Sequence, residues 1–185
     1  MQQDIIDFAK ALVKSCGEQL RHVSTVIPEY KTDFQDLVTE YDRRIEQQIH
    51  DALIEKFPTH SFLGEESVKE SGEHLWILDP IDGTTNFVSM HRDFAISLAY
   101  YHKKQPVFGI VYDVMRDELF LGVHGKGAWL NEQPMLPLQK KEPKDCILDA
   151  GMHVMSYIET HFDSKPLTMQ DELRAHRYLG CASLS

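Results

Sequence analysis

Cysteine is scarce in this sequence. Cys16, Cys146 and Cys181 are the only three among 185 residues; they are far apart and form no CxxC pair. A disulfide framework and a zinc knuckle are therefore excluded as organising devices, and a reducing cytoplasm is the expected compartment. No apolar run approaches the ~20 residues of a membrane helix, and Met1-Gln2-Gln3-Asp4 opens no basic-then-apolar leader, so neither membrane insertion nor a signal peptide is expected. Basic residues are the scarcer charge, 19 against 29 acidic, which gives a net charge of −10. Such a field repels nucleic acid and anionic membranes. HExxH, P-loop and GxSxG patterns are absent, as are internal repeats and low-complexity tracts. What the sequence does have is 42% apolar residues, enough for a packed core.

Residues 5–20 place Ile5, Phe8, Ala9, Leu12, Val13, Cys16 and Leu20 on one helical face, weakened slightly by Gly17. Pro28 cannot continue a helix. A second helix is expected from Thr39, because Leu37, Tyr41, Ile45, Ile49, Leu53 and Phe57 recur every four residues. Thr39 and Asp42 stand three apart as a capping box, and Pro58 stops the helix. Strands are expected at 61–63 and 75–78, then an antiparallel meander at 94–101, 107–112 and 118–123. Gly125-Lys126-Gly127 reads as a turn, 128–130 as a strand, and Asn131 to Pro134 as another turn. Two helices followed by many strands imply an α+β fold. Residues 1–138 read as one α+β domain. Residues 139–185, which open on a charged linker at 140–145, read as the start of a second α/β domain that continues beyond Ser185. A strand at 146–150 and helices at 154–162 and 169–177 are expected there, and Ile147, Leu148, Val154 and Leu173 are expected to lack burial partners.

Three blocks carry chemistry. In Trp76-Ile77-Leu78-Asp79-Pro80-Ile81-Asp82-Gly83-Thr84-Thr85-Asn86-Phe87 an apolar strand runs into two carboxylates three residues apart. Pro80 fixes φ and is expected to stiffen a turn that aims Asp79, Asp82 and the Ile81 carbonyl at one point. Gly83 permits close backbone approach, and Thr84 to Asn86 can open a helix whose free N–H groups hold an anion. The donors are all oxygen, which suits Mg2+ rather than zinc. The second block is Gly64-Glu65-Glu66-Ser67, at the end of a short apolar strand; alone it would read as a solvated charged turn. The third is Lys31 together with Asp36-Leu37-Val38-Thr39-Glu40-Tyr41-Asp42; alone it would read as a surface lysine and a helix cap.

In order and spacing these blocks resemble the inositol monophosphatase family, and the similarity runs from the first helix to the end of the chain. The resemblance implies a layered αβαβα sugar-phosphatase fold and an Mg2+-dependent phosphomonoesterase using two to three ions. It assigns Glu65, Asp79 and the Ile81 carbonyl to a first ion, Asp79 and Asp82 to a second, and Glu65 also to a weaker third. Thr84, supported by Asp42, would orient the attacking water, with Glu66 assisting. The amides of Gly83 and Thr84 would grip the phosphate, in a substrate site that also includes Glu65, Asp82 and Lys31. The implied partner is a small phosphorylated molecule, handled by a cytoplasmic homodimer when full length. Two cations would offset the chain's negative field and clamp the oxygens of an in-line displacement.

The sequence departs from the family where a later WDxAAG-like block would complete the second metal site: neither Trp76 nor Trp129 is followed by Asp. The expectation is a truncated chain with a weakened second site. Inositol monophosphate or a similar polyol phosphate is the expected substrate. The alternatives are 3′-phosphoadenosine 5′-phosphate, whose phosphatases tend to read DGTKEF where this chain has Asp82 to Phe87, and fructose bisphosphate or NADP. A catalytically weak binding protein is the alternative of a different class.

Overall fold

A computed structural model describes residues 2–24, 26–30, 37–65, 72–161 and 174–184. Helix α1 (Gln2–Arg21) buries Ile6, Ala9, Val13, Cys16 and Leu20 along one stripe. Gly17 lies on that stripe because a Cβ there would stand 2.4 Å from the Tyr112 ring, so the residue that weakens the helix also lets it dock. Strands β1 (Pro28–Tyr30) and β2 (Leu37–Thr39) pair antiparallel. Helix α2 (Glu40–Lys56) begins with the expected capping box: Thr39 Oγ1 accepts from the Tyr41 and Asp42 amides, and Asp42 reaches back to the Thr39 amide. Its buried Ile45, Ile49 and Leu53 each contribute about 1.5–3 kcal/mol by leaving water. The helix ends before Pro58, with the Phe57 amide bonded to the Leu53 carbonyl.

The centre is a seven-stranded sheet in sequence order: β3 (Ser61–Leu63), β4 (His74–Asp82), β5 (Ala95–His102), β6 (Gln105–Asp113), β7 (Glu118–Val123), β8 (Gly127–Leu130) and β9 (Gln133–Pro134). Only the β3–β4 pair is parallel, so the sheet is mixed. α1 and α2 pack against each other, α1 on β5 and β6 and α2 on β4, which gives the expected layered α+β arrangement. Trp76, Leu98, Ile110 and Tyr112 fill the layer between. Fully buried Trp76 keeps its indole N–H satisfied by donating to His60 Nδ1 at 3.0 Å.

Three expectations need correction. Pro80 lies not in a turn but inside β4, where the register with β5 shifts between Asp79 and Asp82; at such a bulge a missing N–H is tolerated. Gln133 and Pro134 fold back as β9 on β8, after a turn in which Asn131 and Glu132 both take positive φ. Helix α4 (Met152–His161) matches the first helix expected near the end of the chain, but Ala175–Arg177 is a strand, β11, parallel to β10 (Ile147–Asp149). The Arg174 amide bonds the Cys146 carbonyl and the Ala150 amide bonds the Arg177 carbonyl, so pairing overrides the local helical preference. Residues 169–173 lie outside the described residues. Among the described residues no helix is long and apolar enough to cross a membrane.

Candidate active site

The end of β4, the start of α2 and the short helix α3 (Thr84–Met90) meet at one edge of the sheet. Asp79 Oδ1 accepts from the Ile81 amide at 3.2 Å across Pro80, which pins one end of the carboxylate. Gly83 then turns the chain at φ 88°, and a Cβ there would stand 3.1 Å from Cys181 Cβ and 3.2 Å from the Asp93 carbonyl. Both the left-handed backbone and the crowding require glycine. α3 follows directly, and the Phe87 amide makes its first turn to the Gly83 carbonyl. The preceding N–H groups have no acceptor within the helix.

Asp42 is 2% exposed, and the capping box fixes it. Its Oδ2 takes the Thr39 amide at 2.8 Å and the Thr39 hydroxyl at 2.6 Å. That leaves Oδ1 facing Thr84 Oγ1 at 3.2 Å, while the same hydroxyl lies 3.0 Å from the Ile81 carbonyl. Burial raises the Asp42 carboxyl above the usual range, against the hydrogen bonds from Thr39 and Thr84 that lower it. Asp79 is pushed up from the usual 3.8 to about 7, first by burial and then by the charges of Glu65, Asp82 and Asp42. Glu65, Asp82 and Asp42 thus each lie close enough to Asp79 to disfavour its charge.

Among the described residues, no three His, Cys, Asp or Glu side chains already close around a single point. Asp82 accepts from the Ala182 amide at one carboxylate oxygen and from the Ser183 amide at the other. The donor set nevertheless fits a hard cation: carboxylates of Glu65, Asp79 and Asp82 beside the Ile81 carbonyl, with no nitrogen or sulfur ligand required. The raised pKa of Asp79 reflects burial first and then the neighbouring carboxylate charges that such an ion would neutralise.

The structure therefore brings together Asp42, Glu65, Asp79, Ile81, Asp82, Gly83 and Thr84. Lys31 and Glu66 lie outside the described residues. The sequence reading passed over Thr39 as the holder of Asp42, although the capping box marked it. Asn86 is legible there only as part of a helix start, and no local signal marks Cys181 or Ser183. The Cys181 thiol donates to the Asp82 carbonyl at 3.3 Å and is pushed up to about 12, mainly by burial.

A sequence model of the inositol monophosphatase family matches residues 1–185. The inositol-1-monophosphatase of Bacillus subtilis is 38% identical over 152 residues, covering 78% of this chain and 57% of the relative, so the chain spans little more than half of that protein's length. Among solved structures, a staphylococcal IMPase-I in complex with products superposes with a TM-score of 0.87 at 30% identity, over 100% of this chain and 70% of that one. An IMPase/NADP phosphatase complexed with Mg2+ and phosphate gives the same TM-score and identity, over 99% of this chain and 69% of that one. The chain belongs to the inositol monophosphatase family.

Proposed function

We propose that this chain forms the metal- and phosphate-binding part of an Mg2+-dependent phosphomonoesterase that hydrolyses inositol monophosphate or a similar polyol phosphate. The observation that carries the reading is the Thr84 hydroxyl set between Asp42 Oδ1 and the Ile81 carbonyl, beside a carboxylate cluster in which Asp79 is hard to ionise without a cation. Glu65, Asp79 and the Ile81 carbonyl would hold one Mg2+, and Asp79 and Asp82 a second, with Glu65 also reaching a weaker third. When bound, the ions supply charge neutralisation of the phosphoryl group and make water more acidic. Asp42 fixes the Thr84 hydroxyl, which orients the attacking water. Gly83 and Thr84 offer backbone N–H groups to the phosphate oxygens. Glu66 and Lys31 are assigned to the same site, as a water-orienting carboxylate and a phosphate-facing cation. Residues 139–185 are read as the beginning of a second α/β domain. The scarcity and wide spacing of cysteine support a reducing, cytoplasmic setting.

Phosphate release from inositol 1-phosphate, 3′-phosphoadenosine 5′-phosphate, fructose 1,6-bisphosphate and NADP, with and without Mg2+, tests the reading. Release from inositol 1-phosphate that needs Mg2+ and is lost in Asp79→Asn is expected. Mg2+-independent release, or preference for a nucleotide, would overturn the metal or the substrate assignment respectively.

A further inference from the structure

Asn86 is 7% exposed, and both protons of its amide are committed. Nδ2 donates to the Asp93 carbonyl at 2.8 Å and to the Leu179 carbonyl at 2.8 Å, so carbonyl acceptors on two sides fix which end of the amide is nitrogen. The first bond ties the loop after α3 to its own helix. The second reaches 93 positions along the chain. Gly180, at φ 75°, then passes so close that a Cβ would stand 3.2 Å from Asn86 Oδ1. The turn anchored in this way delivers its next backbone groups to the strand end. The Ala182 amide lies 3.2 Å from Asp82 Oδ1, and the Ser183 amide bonds Asp82 Oδ2. Each oxygen of Asp82 thus receives one N–H, and each keeps a further lone pair.

We propose that Asn86 is a positioning residue that sets the direction of the Asp82 carboxylate, acting through the Leu179–Ser183 turn. Asn86 touches no phosphate or cation ligand itself. It holds Leu179, and the turn that begins there presents two amides to the carboxylate. A carboxylate held at both oxygens cannot swing through its χ2 arc, and such supporting bonds commonly decide how well a ligand binds its ion. The inference rests on the reading of Asp82 as a metal ligand.

The test is a double-mutant cycle read by Mg2+ calorimetry rather than turnover, on wild type, Asn86→Ala, Asp82→Asn and the double variant. Asn86→Ala is expected to weaken Mg2+ binding about tenfold, and to add nothing in the Asp82→Asn background. Equal losses in both backgrounds mean a general structural role, and the proposal falls. Unchanged affinity in Asn86→Ala, with loss in Asp82→Asn, overturns the proposal and leaves the site intact. Unchanged affinity in Asp82→Asn overturns the ligand assignment and the proposal together. Should circular dichroism find Asn86→Ala unfolded, Gly180→Ala, which crowds Asn86 Oδ1 from the far side, takes its place in the same cycle.

Discussion

Asp42 and Thr84, 42 positions apart in sequence, meet at 3.2 Å between carboxylate and hydroxyl. The hydroxyl has one proton and two acceptors within reach, Asp42 Oδ1 and the Ile81 carbonyl. A cation held by the Ile81 carbonyl would leave that proton to Asp42, and the Thr84 oxygen would then be free to accept from a water. If the chain hydrolyses inositol 1-phosphate as proposed, Thr84→Ala should lower kcat by about a hundredfold, in the range of a lost proton-transfer group, while Mg2+ affinity stays close to wild type. Thr84→Ser retains most activity. Steady-state kinetics and calorimetry on the same preparations decide it: parallel losses in kcat and Mg2+ affinity would make Thr84 a ligand or a structural cap.

Thr39 joins stability to the same site. Its hydroxyl caps α2 and donates to Asp42 Oδ2 at 2.6 Å inside the protein. Thr39→Ala loses the cap and leaves a buried carboxylate oxygen short of a donor, together about 2 kcal/mol. Thr39→Ser should recover most of that loss. Urea unfolding of the three proteins measures it, and an alanine variant as stable as wild type would show that the capping box is dispensable.

Asp79 gives a pH signature in the absence of metal. Its folded carboxyl titrates at about 7 and its unfolded one near 3.8, so between those values the folded chain binds more protons. Its contribution to stability is full below about pH 4 and is lost as pH rises through 7. His60, held below its usual value first by burial and then by His74 and His102, works in the opposite sense as pH falls below 6.5, so wild type alone is ambiguous. The comparison with Asp79→Asn cancels His60. Metal-free Asp79→Asn should melt above wild type at pH 8, with the gap closing toward pH 5. Saturating Mg2+ should reverse the order at pH 8, because it stabilises only the protein that binds it. Identical metal-free melting curves across the range would show that Asp79 ionises freely.

How much of this was legible depends on distance along the chain. α2 could be read because Ile45, Ile49 and Leu53 recur every four residues and Thr39 with Asp42 announces the cap, all local signals. The carboxylates of the β4 end could be read because Asp79 and Asp82 sit three apart beside Gly83. Pro80 misled, since a proline inside a strand is permitted only by a bulge, and a bulge is a property of two strands. β11 misled for the same reason: Ala175-His176-Arg177 has no strand character until β10 supplies a ladder. The bonds from Ala182 and Ser183 to Asp82 cross 100 and 101 positions, and no local pattern encodes them.

Exposed apolar side chains lie around β10 and β11. Leu138 is 99% exposed, Ile147 58% and Tyr178 72%, and Val154 and Tyr157 of α4 are also exposed. Leu138 and Ile147 line one groove with Cys146 and Arg174, while Val154 and Tyr178 line a cavity of about 390 Å³ that reaches Asp82. Leu148, in contrast, is half-buried, and Leu173 lies outside the described residues. Apolar side chains gathered in this way drive association, and the net charge of −10 opposes it. Salt weakens the opposition by shortening the Debye length from about 10 Å at 0.1 M to about 3 Å at 1 M, and leaves the apolar attraction in place. The 185-residue chain should therefore self-associate with rising concentration, and more strongly at molar salt. Leu138→Glu with Ile147→Glu should hold it monomeric under the same conditions without lowering its melting temperature, because neither side chain is buried. Sedimentation velocity across protein and salt concentrations measures this. A wild-type chain that stays monomeric at molar salt would show that these side chains do not act as a contact surface.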